Sequence, residues 1–424
     1  MTASSHIPES AGERRPLLFY GYVLVTAAFF MQAIGWGIYN SFGVFFNPIM
    51  DAFGWQRAAI SGAASLSMLI YGFASILLGR LNDRVGPKLI MTASGVLLGA
   101  GYLLMSRIHA LWQLYLIYGL IVGVGLSGTD VVLLSTVARW YTRLRGRMSG
   151  TIKVGTGVGM VIFPLISQWL IARYNWQTAI AILGVLILSL FLALSQLLVR
   201  DPASRGLSPD GDGENDKEKA AVAETGLGFR EALKNSQVWM TCAAYFILTI
   251  CTMTILLHIV PHAVDLGVDK GDATGVLATI GAISIAGRFF MGFVSDKIGN
   301  RLSLAICFCL LMASLLWLPA AVRLWMLFVF AIFYGFAHGG FFAVMSPLVA
   351  ESFGTFSHGA ILGLVIFASA LGGSIGPFLA GFVYDVSGSY RIVFWSMPAI
   401  CLLGLTATLR LKTRRRHRTQ PPKV

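Results

Sequence analysis

A repeated segment is the feature that most constrains the fold of this chain. GRLNDRVGPK begins at residue 79, and a matching segment, GFVSDKIGNR, begins at residue 292, which is 213 positions later. One offset shared by many positions indicates that the chain is a duplicated half, and parallel repeats in an apolar chain are typical of membrane transporters whose halves rock about a central site. The same offset relates further identical residues: Gly146 and Gly359, Gly159 and Gly372, and Pro164 and Pro377.

The composition places the chain in a membrane. Hydrophobic residues make up 56% of it and charged residues only 12%, so polar groups could not cover the surface of a water-soluble fold. We predict an all-α membrane protein with twelve spans, six in each half, each about 20 residues or longer and able to cross the hydrocarbon core. The predicted spans are residues 19–47, 58–80, 89–107, 111–138, 148–172, 178–199, 237–260, 274–295, 302–320, 324–349, 359–384 and 391–409.

The distribution of basic residues predicts the orientation. With both termini in the cytoplasm, 24 Lys and Arg fall in inner segments, six in outer loops and two, Lys153 and Arg288, inside spans. This bias follows the positive-inside rule. The net charge of +13 is therefore interpreted as contact with the cytoplasmic leaflet, and no nucleic-acid partner is predicted.

The predicted spans also divide the chain into domains. We predict a cytoplasmic N-terminus (1–18), a six-helix half (19–199), a cytoplasmic linker (200–236), a second six-helix half (237–409) and a basic cytoplasmic tail (410–424). The linker is polar and short, and GFREALKN at its end predicts a surface helix. No paired carboxylates, HExxH or GxSxG-like array lies within the spans, so no enzyme activity is predicted. No cofactor and no metal site are predicted either.

The repeated loops resemble the signature of the major facilitator superfamily, G-x3-D-[RK]-x-G-x-[RK], which is present in both halves. The resemblance covers essentially the whole chain and implies the major facilitator fold. Physically, Asp83 and Asp296 can each meet a helix N-terminus or an arginine across the halves, as a cytoplasmic latch that breaks when the inner gate opens. The predicted gate and latch residues are Asp83, Arg84, Asp296, Lys297 and Arg143.

Two further segments narrow the resemblance. WYTRLRGRMSGTIKVGTGVG (residues 140–159) resembles the monocarboxylate-transporter signature, and FFNPIMDAFGWQRAAIS (residues 45–61) resembles bacterial oxalate/formate antiporters and monocarboxylate porters. This resemblance implies a small carboxylate as the substrate. The chain departs from the animal-type carriers in two places: Ser284 stands where they carry an aspartate, and Asn40 where they carry a span-1 lysine. It also has no Lys or Arg in residues 359–384, where oxalate exchangers rely on a second cation.

Arg288 is the main candidate for substrate binding. A charge within the bilayer costs at least ~2.5 kcal/mol, so its presence indicates a use. Its forked donors suit a carboxylate held by two parallel hydrogen bonds, and the family likewise places a substrate-binding arginine in span 8. A structural ion pair is the alternative.

Asp130 and Lys153 form a second buried charged set. Asp130 lies in span 4 and Lys153 in span 5. Both are predicted about 12 to 14 Å from the cytoplasmic ends of these spans, so they can pair. Either they brace the first half or they serve as a proton relay or second anion site. His338 is predicted near the depth of Arg288, with Tyr334 one turn away, either to assist the substrate and its proton or to join helices.

The sequence thus predicts a proton-coupled symporter of small monocarboxylates such as lactate, pyruvate or formate. An organic-anion antiporter of the oxalate/formate type is the alternative, and a receptor without transport a third. We expect a monomer in a bacterial inner membrane, with the carboxylate, the proton and the lipid bilayer as partners. The predicted substrate-binding residues are Arg288, Lys153, Asn40, Tyr118, Ser284, Tyr334, His338 and Phe367. The predicted proton-coupling residues are Asp130, His338 and Arg288.

Overall fold

The computed structural model describes residues 19–211 and 226–412. Within these residues, twelve helices are long and apolar enough to cross a membrane, which confirms the predicted number. The predicted N-terminal segment, the middle of the linker and nearly all of the basic tail lie outside the described residues. The helices are α1 (Tyr20–Phe53), α2 (Ala59–Val85), α3 (Pro87–Met105), α4 (Leu111–Trp140), α5 (Arg145–Arg173), α6 (Trp176–Ser195), α7 (Ser236–Asp265), α8 (Gly271–Ile298), α9 (Asn300–Ala320), α10 (Leu324–Phe353), α11 (His358–Ser387) and α12 (Arg391–Arg410).

The duplication is visible in how the helices end. α2 and α8 both end at a glycine of the repeated segment, Gly86 with φ 94° and Gly299 with φ 91°. Residues with a side chain rarely adopt such positive φ values, whereas glycine does so without steric cost. The two glycines are 213 positions apart, so the repeat preserves the tight turn that returns the chain into the membrane.

Three helices depart from regular α geometry: α9 ends in a 3-10 turn, Leu318–Ala320, and α1 and α4 depart from it farther from their ends. α1 was predicted to end at residue 47, but it continues to Phe53 after an interruption at Ser41. The Ser41 amide there donates to the carbonyl oxygens of both Gly37 and Ile38 at 3.1 Å. α4 contains a π-helical segment, Tyr115–Val122, and π-helical segments within α-helices frequently lie at functional sites.

The halves meet through paired glycines on four helices. Gly79 of α2 lies against the backbone of Gly359 of α11, and Gly292 of α8 lies against the backbone of Gly146 of α5. The repeat relates the two contacts. Gly292 lies 213 positions after Gly79, and Gly146 lies 213 positions before Gly359. Because a Cβ at these positions would collide with backbone, only glycine lets these helices approach so closely.

The linker returns along the end of the bundle where the repeated loops lie, which we call the linker side. The Asp210 carboxylate accepts hydrogen bonds from the backbone amides of Thr142 and Arg143, at 2.9 and 2.8 Å. The predicted surface helix forms at Phe229–Lys234. The Leu227 amide donates to the carbonyl of Phe353 at 3.0 Å, so the linker contacts both halves.

Candidate functional site

The predicted pair of Asp130 and Lys153 forms inside the first half. Lys153 Nζ of α5 donates to Asp130 Oδ1 of α4, and each residue is only 5% exposed. Two residues that the sequence prediction missed complete the surroundings of the carboxylate. Gln32 Nε2 donates to Asp130 Oδ1 at 2.7 Å, and the Tyr71 hydroxyl donates to Oδ2 at 2.6 Å. The carboxylate therefore receives donors from three side chains, one each on α1, α2 and α5.

Gln32 is itself held in place. Its Oε1 accepts a hydrogen bond from Thr156 Oγ1 at 2.7 Å, and its Nε2 also donates to the Thr129 carbonyl at 2.8 Å. A buried polar side chain is tolerated when its hydrogen-bonding groups are satisfied in this way. The only sequence signal for Gln32 is a polar residue within an apolar span.

Arg288 lies across the interface from this network. It is 4% exposed, and its Nη1 donates to Ser284 Oγ one turn earlier at 3.2 Å. Nε is buried without a hydrogen-bond partner among the described residues. The guanidinium faces Gly157 of α5, where an added Cβ would come within 2.6 Å of Nη1. Glycine at this position therefore leaves room for the arginine beside the first half.

The two charged sets, which were predicted as separate, belong to one cluster. Arg288 interacts electrostatically with Asp130 and with Lys153. Lys153 has its counter-ion, whereas no carboxylate of the described residues forms an ion pair with Arg288. Two cations and one anion leave a formal charge of +1 in a buried region. Burial of an uncompensated charge is costly, so the arrangement favours a bound anion.

His338 and Tyr334 lie beside this cluster, as predicted from their spacing. The two rings are stacked, with centroids 6.0 Å apart, and the Tyr334 hydroxyl donates to the Thr252 carbonyl. His338 interacts electrostatically with Arg288. Its Nδ1 is buried without a hydrogen-bond partner among the described residues. The ring therefore keeps one position for a polar group of a ligand.

Three other predicted binding residues contact different partners. Asn40 is exposed at the end of the first part of α1, and its Nδ2 donates to the Trp36 carbonyl at 2.7 Å. Tyr118 is fully buried, stacks on Phe42 at 4.1 Å between ring centroids, and donates to the Tyr39 carbonyl. It therefore packs within the first half. Phe367 of α11 lies 4.5 Å from Phe73 of α2, ring to ring, where the halves meet.

The linker side carries the predicted latch. The Asp83 carboxylate accepts hydrogen bonds from the backbone amides of Gly359 and Ala360, both at 3.0 Å, at the first turn of α11. Arg139 of the same half donates to Asp83 at 2.5 Å. A carboxylate is favoured at a helix N-terminus because free backbone N–H groups and the positive end of the helix dipole lie there. Asp83 thus joins the first half to the second.

Asp296 makes the equivalent contact in the opposite direction. Its carboxylate accepts hydrogen bonds from the amides of Gly146 and Arg147, at 2.7 and 2.9 Å, at the start of α5. Asp296 lies 213 positions after Asp83, and its partners Gly146 and Arg147 lie 213 positions before Gly359 and Ala360. The repeat therefore relates the two sets of contacts. Ser346 adds a third link, because its Oγ donates to the Leu134 carbonyl at 3.2 Å. The halves are therefore joined on the linker side.

The remaining predicted latch residues surround these contacts. Lys297 lies over the ring of Phe293, 4.5 Å from its centroid. Arg84 is exposed and lines a cavity on the linker side. Arg143 contributes its backbone amide to Asp210.

Comparisons with known proteins agree with this architecture. The model of the Major Facilitator Superfamily matches residues 25–289 and 259–424, and the chain belongs to that superfamily. A solved structure of the human organic anion transporter MFSD10 superposes with a TM-score of 0.70 at 17% identity, covering 92% of this chain and 99% of that one. At this identity the likeness shows the shared fold.

Within the superfamily, the chain is similar to monocarboxylate transporters. It is 30% identical over 395 residues to monocarboxylate transporter 13 of Rattus norvegicus, covering 91% of this chain and 87% of the relative. It is also 28% identical over 373 residues to the oxalate:formate antiporter of Oxalobacter formigenes, covering 85% and 84%. Both resemblances predicted from the sequence motifs are thereby confirmed.

Proposed function

We propose that this protein is a secondary active transporter of small monocarboxylates. The observation that carries the proposal is the buried guanidinium of Arg288, whose Nε has no hydrogen-bond partner in the part of the chain that the structure describes. A carboxylate would supply the missing negative charge and accept two parallel hydrogen bonds from the fork. His338 Nδ1, which also has no described partner, would bind the second polar group of the same substrate. Ser284 would orient the guanidinium.

The arrangement of charges favours one carboxylate over two. Lys153 is held by Asp130, and Asp130 is further held by Gln32 and Tyr71. A second carboxylate would have to displace Asp130 from Lys153, leaving a buried acid without its counter-ion. A monocarboxylate instead brings the formal charge of the cluster from +1 to zero. Lactate, pyruvate and formate have the required chemistry.

Transport of this anion requires coupling. In our proposal the protein lies in the plasma membrane and its linker side faces the cytoplasm, because most Lys and Arg residues lie in the segments on that side. An anion entering alone would oppose the inside-negative potential at about 2.3 kcal/mol per charge per 100 mV. We assign the coupling to a cotransported proton, with Asp130 as its acceptor because protonation would release Lys153. The Asp83 and Asp296 contacts would break when the linker side opens.

The test is uptake by the purified full chain in liposomes. We expect saturable uptake of a radiolabelled monocarboxylate, driven by an inward proton gradient, with weaker competition from dicarboxylates. Uptake that requires a preloaded carboxylate and ignores the proton gradient would favour the antiporter suggested by the Oxalobacter relative. Binding without flux would indicate a receptor.

A further inference from the structure

A second basic site lies on the linker side, apart from the charged cluster in the membrane. It is a cavity of about 1000 Å³ between the ends of α2 and α4, the loop before α11 and the linker. Residues of both halves and of the linker helix line it. Its arginines are Arg80, Arg84, Arg139, Arg145, Arg200 and Arg230.

The charge of this cavity is unbalanced. Three acids also line it, Asp83, Asp201 and Glu231, so the described lining has a formal charge of +3. Each acid already has a partner. Asp83 contacts Arg139, Asp201 lies 3.8 Å from Arg200, and Glu231 accepts a hydrogen bond from the Gly228 amide at 3.0 Å. Arg80, Arg84 and Arg230 form no ion pair with a described residue, so their positive charges are available to an anion that enters the cavity.

Arg139 provides an independent indication of a ligand. Its side chain is nine-tenths buried, and Nη2 donates to Asp83. Nη1 is buried without a hydrogen-bond partner among the described residues, although the residue lines the cavity. Leaving a buried donor without an acceptor destabilises a protein, and it does so more for a charged group. An oxygen acceptor in the cavity would satisfy it.

We propose that this cavity binds a soluble polyphosphate, of the inorganic or nucleoside triphosphate class. Arginine forks match phosphate oxygens, and a polyphosphate brings several negative charges to Arg80, Arg84 and Arg230. A volume of about 1000 Å³ accommodates such a ligand, whereas a small monocarboxylate would fill little of it. Phe229, which lies 5.2 Å from the Arg80 guanidinium, offers an apolar surface for a nucleobase.

Binding here would regulate transport. The cavity walls come from both halves and include Asp83, whose carboxylate joins them. Opening of the linker side would separate these walls, so the polyphosphate binds the closed arrangement more tightly than the open one. A ligand with such a preference shifts the equilibrium toward the closed arrangement. The polyphosphate thus acts as an inhibitor from the linker side.

Thermal unfolding of the purified full chain tests the site without measuring transport. Tripolyphosphate should raise the midpoint saturably, and sodium chloride of equal ionic strength should not. Arg80→Gln combined with Arg230→Gln should weaken binding at least tenfold. Arg323→Gln, an exposed arginine of the opposite loop, should leave it unchanged. No stabilisation, or equal stabilisation of the double variant, would overturn the proposal.

Two further measurements define the source of the phosphate and its effect. Stabilisation by tripolyphosphate should persist in phosphatidylcholine nanodiscs. Stabilisation only by phosphatidylglycerol nanodiscs would overturn the soluble ligand in favour of a lipid headgroup. In liposomes, tripolyphosphate on the linker side should lower the maximal uptake rate of the wild type more than that of the double variant. The binding result stands even if the transported substrate is not a monocarboxylate.

Discussion

Replacement of Arg288 by lysine tests the proposed substrate site most directly. Lysine keeps the positive charge, but its ammonium is a point donor and cannot present the planar fork. We expect one of the two charge-assisted hydrogen bonds to the carboxylate to be lost. Such a bond contributes about 1.5–3 kcal/mol, which corresponds to a roughly ten- to hundredfold weaker affinity. The contact with Ser284 Oγ, at 3.2 Å in the native protein, would also change.

Arg288→Gln separates a substrate role from a structural one. The native cluster has a formal charge of +1 without ligand, and Arg288 has no described counter-ion within ion-pair distance. Removing a buried, uncompensated charge should therefore raise the unfolding temperature of the empty protein, by an amount equivalent to about 1–3 kcal/mol. The same variant should lose stabilisation by carboxylates. A purely structural arginine would give the opposite sign for the empty protein.

The assay is a carboxylate titration of thermal unfolding, followed by initial rates of uptake in liposomes. Saturating ligand stabilises the folded protein by mass action, so the titration yields an affinity for each variant. Arg323→Lys, outside the membrane-embedded cluster, is the control for the conservative exchange. Wild-type affinity in Arg288→Lys would refute the bidentate contact, and destabilisation of the empty protein in Arg288→Gln would refute the unpaired charge.

Three further predictions follow from the same site. Neutralising Asp130 or Lys153 alone should destabilise the protein by about 3–5 kcal/mol, and Asp130→Asn with Lys153→Gln should recover part of that loss in thermal unfolding; additive losses would contradict the pair. Gly157→Ala should raise KM for the carboxylate about tenfold or more, because the new Cβ would lie 2.6 Å from Arg288 Nη1. Gly281→Ala, whose Cβ meets no described atom within 4 Å, should leave KM unchanged. Uptake should rise as external pH falls from about 8 to 6, because the inward proton gradient that drives symport then increases, and it should stop with a protonophore; insensitivity to both would exclude proton symport.

The sequence predicts the framework well because the framework depends on periodic and repeated features. Twelve apolar stretches give the helices, since span length depends on bilayer thickness. The repeated Asp83 and Asp296 predict carboxylates that meet a helix N-terminus or an arginine across the halves, and both meet a helix N-terminus. The end of α1 was mispredicted, because its continuation past Ser41 depends on local backbone hydrogen bonds that hydropathy does not report.

The candidate site was only partly predictable. Buried charges are rare enough in spans that Asp130, Lys153 and Arg288 are conspicuous individually. Their assembly into one cluster depends on how α5 packs against α8, which the sequence does not specify. Gln32 and Gly157 were missed for a related reason: an uncharged residue in a span acquires a role only from the neighbour that it contacts.

The comparison of the two repeats explains where the site lies. Positions that are identical in both halves, such as Gly79 and Gly292, build the symmetric contacts on the linker side. The charged residues lie where the repeats differ, because Asp130 corresponds to Ala343 and Arg288 corresponds to Ser75 after the shift of 213. A symmetric pair of arginines would double the buried positive charge and would suit a symmetric dianion. Under the proposed function, a single Arg288 balanced by one carboxylate would suit a small, asymmetric monoanion, and the symmetric contacts on the linker side would break as the two halves move about it.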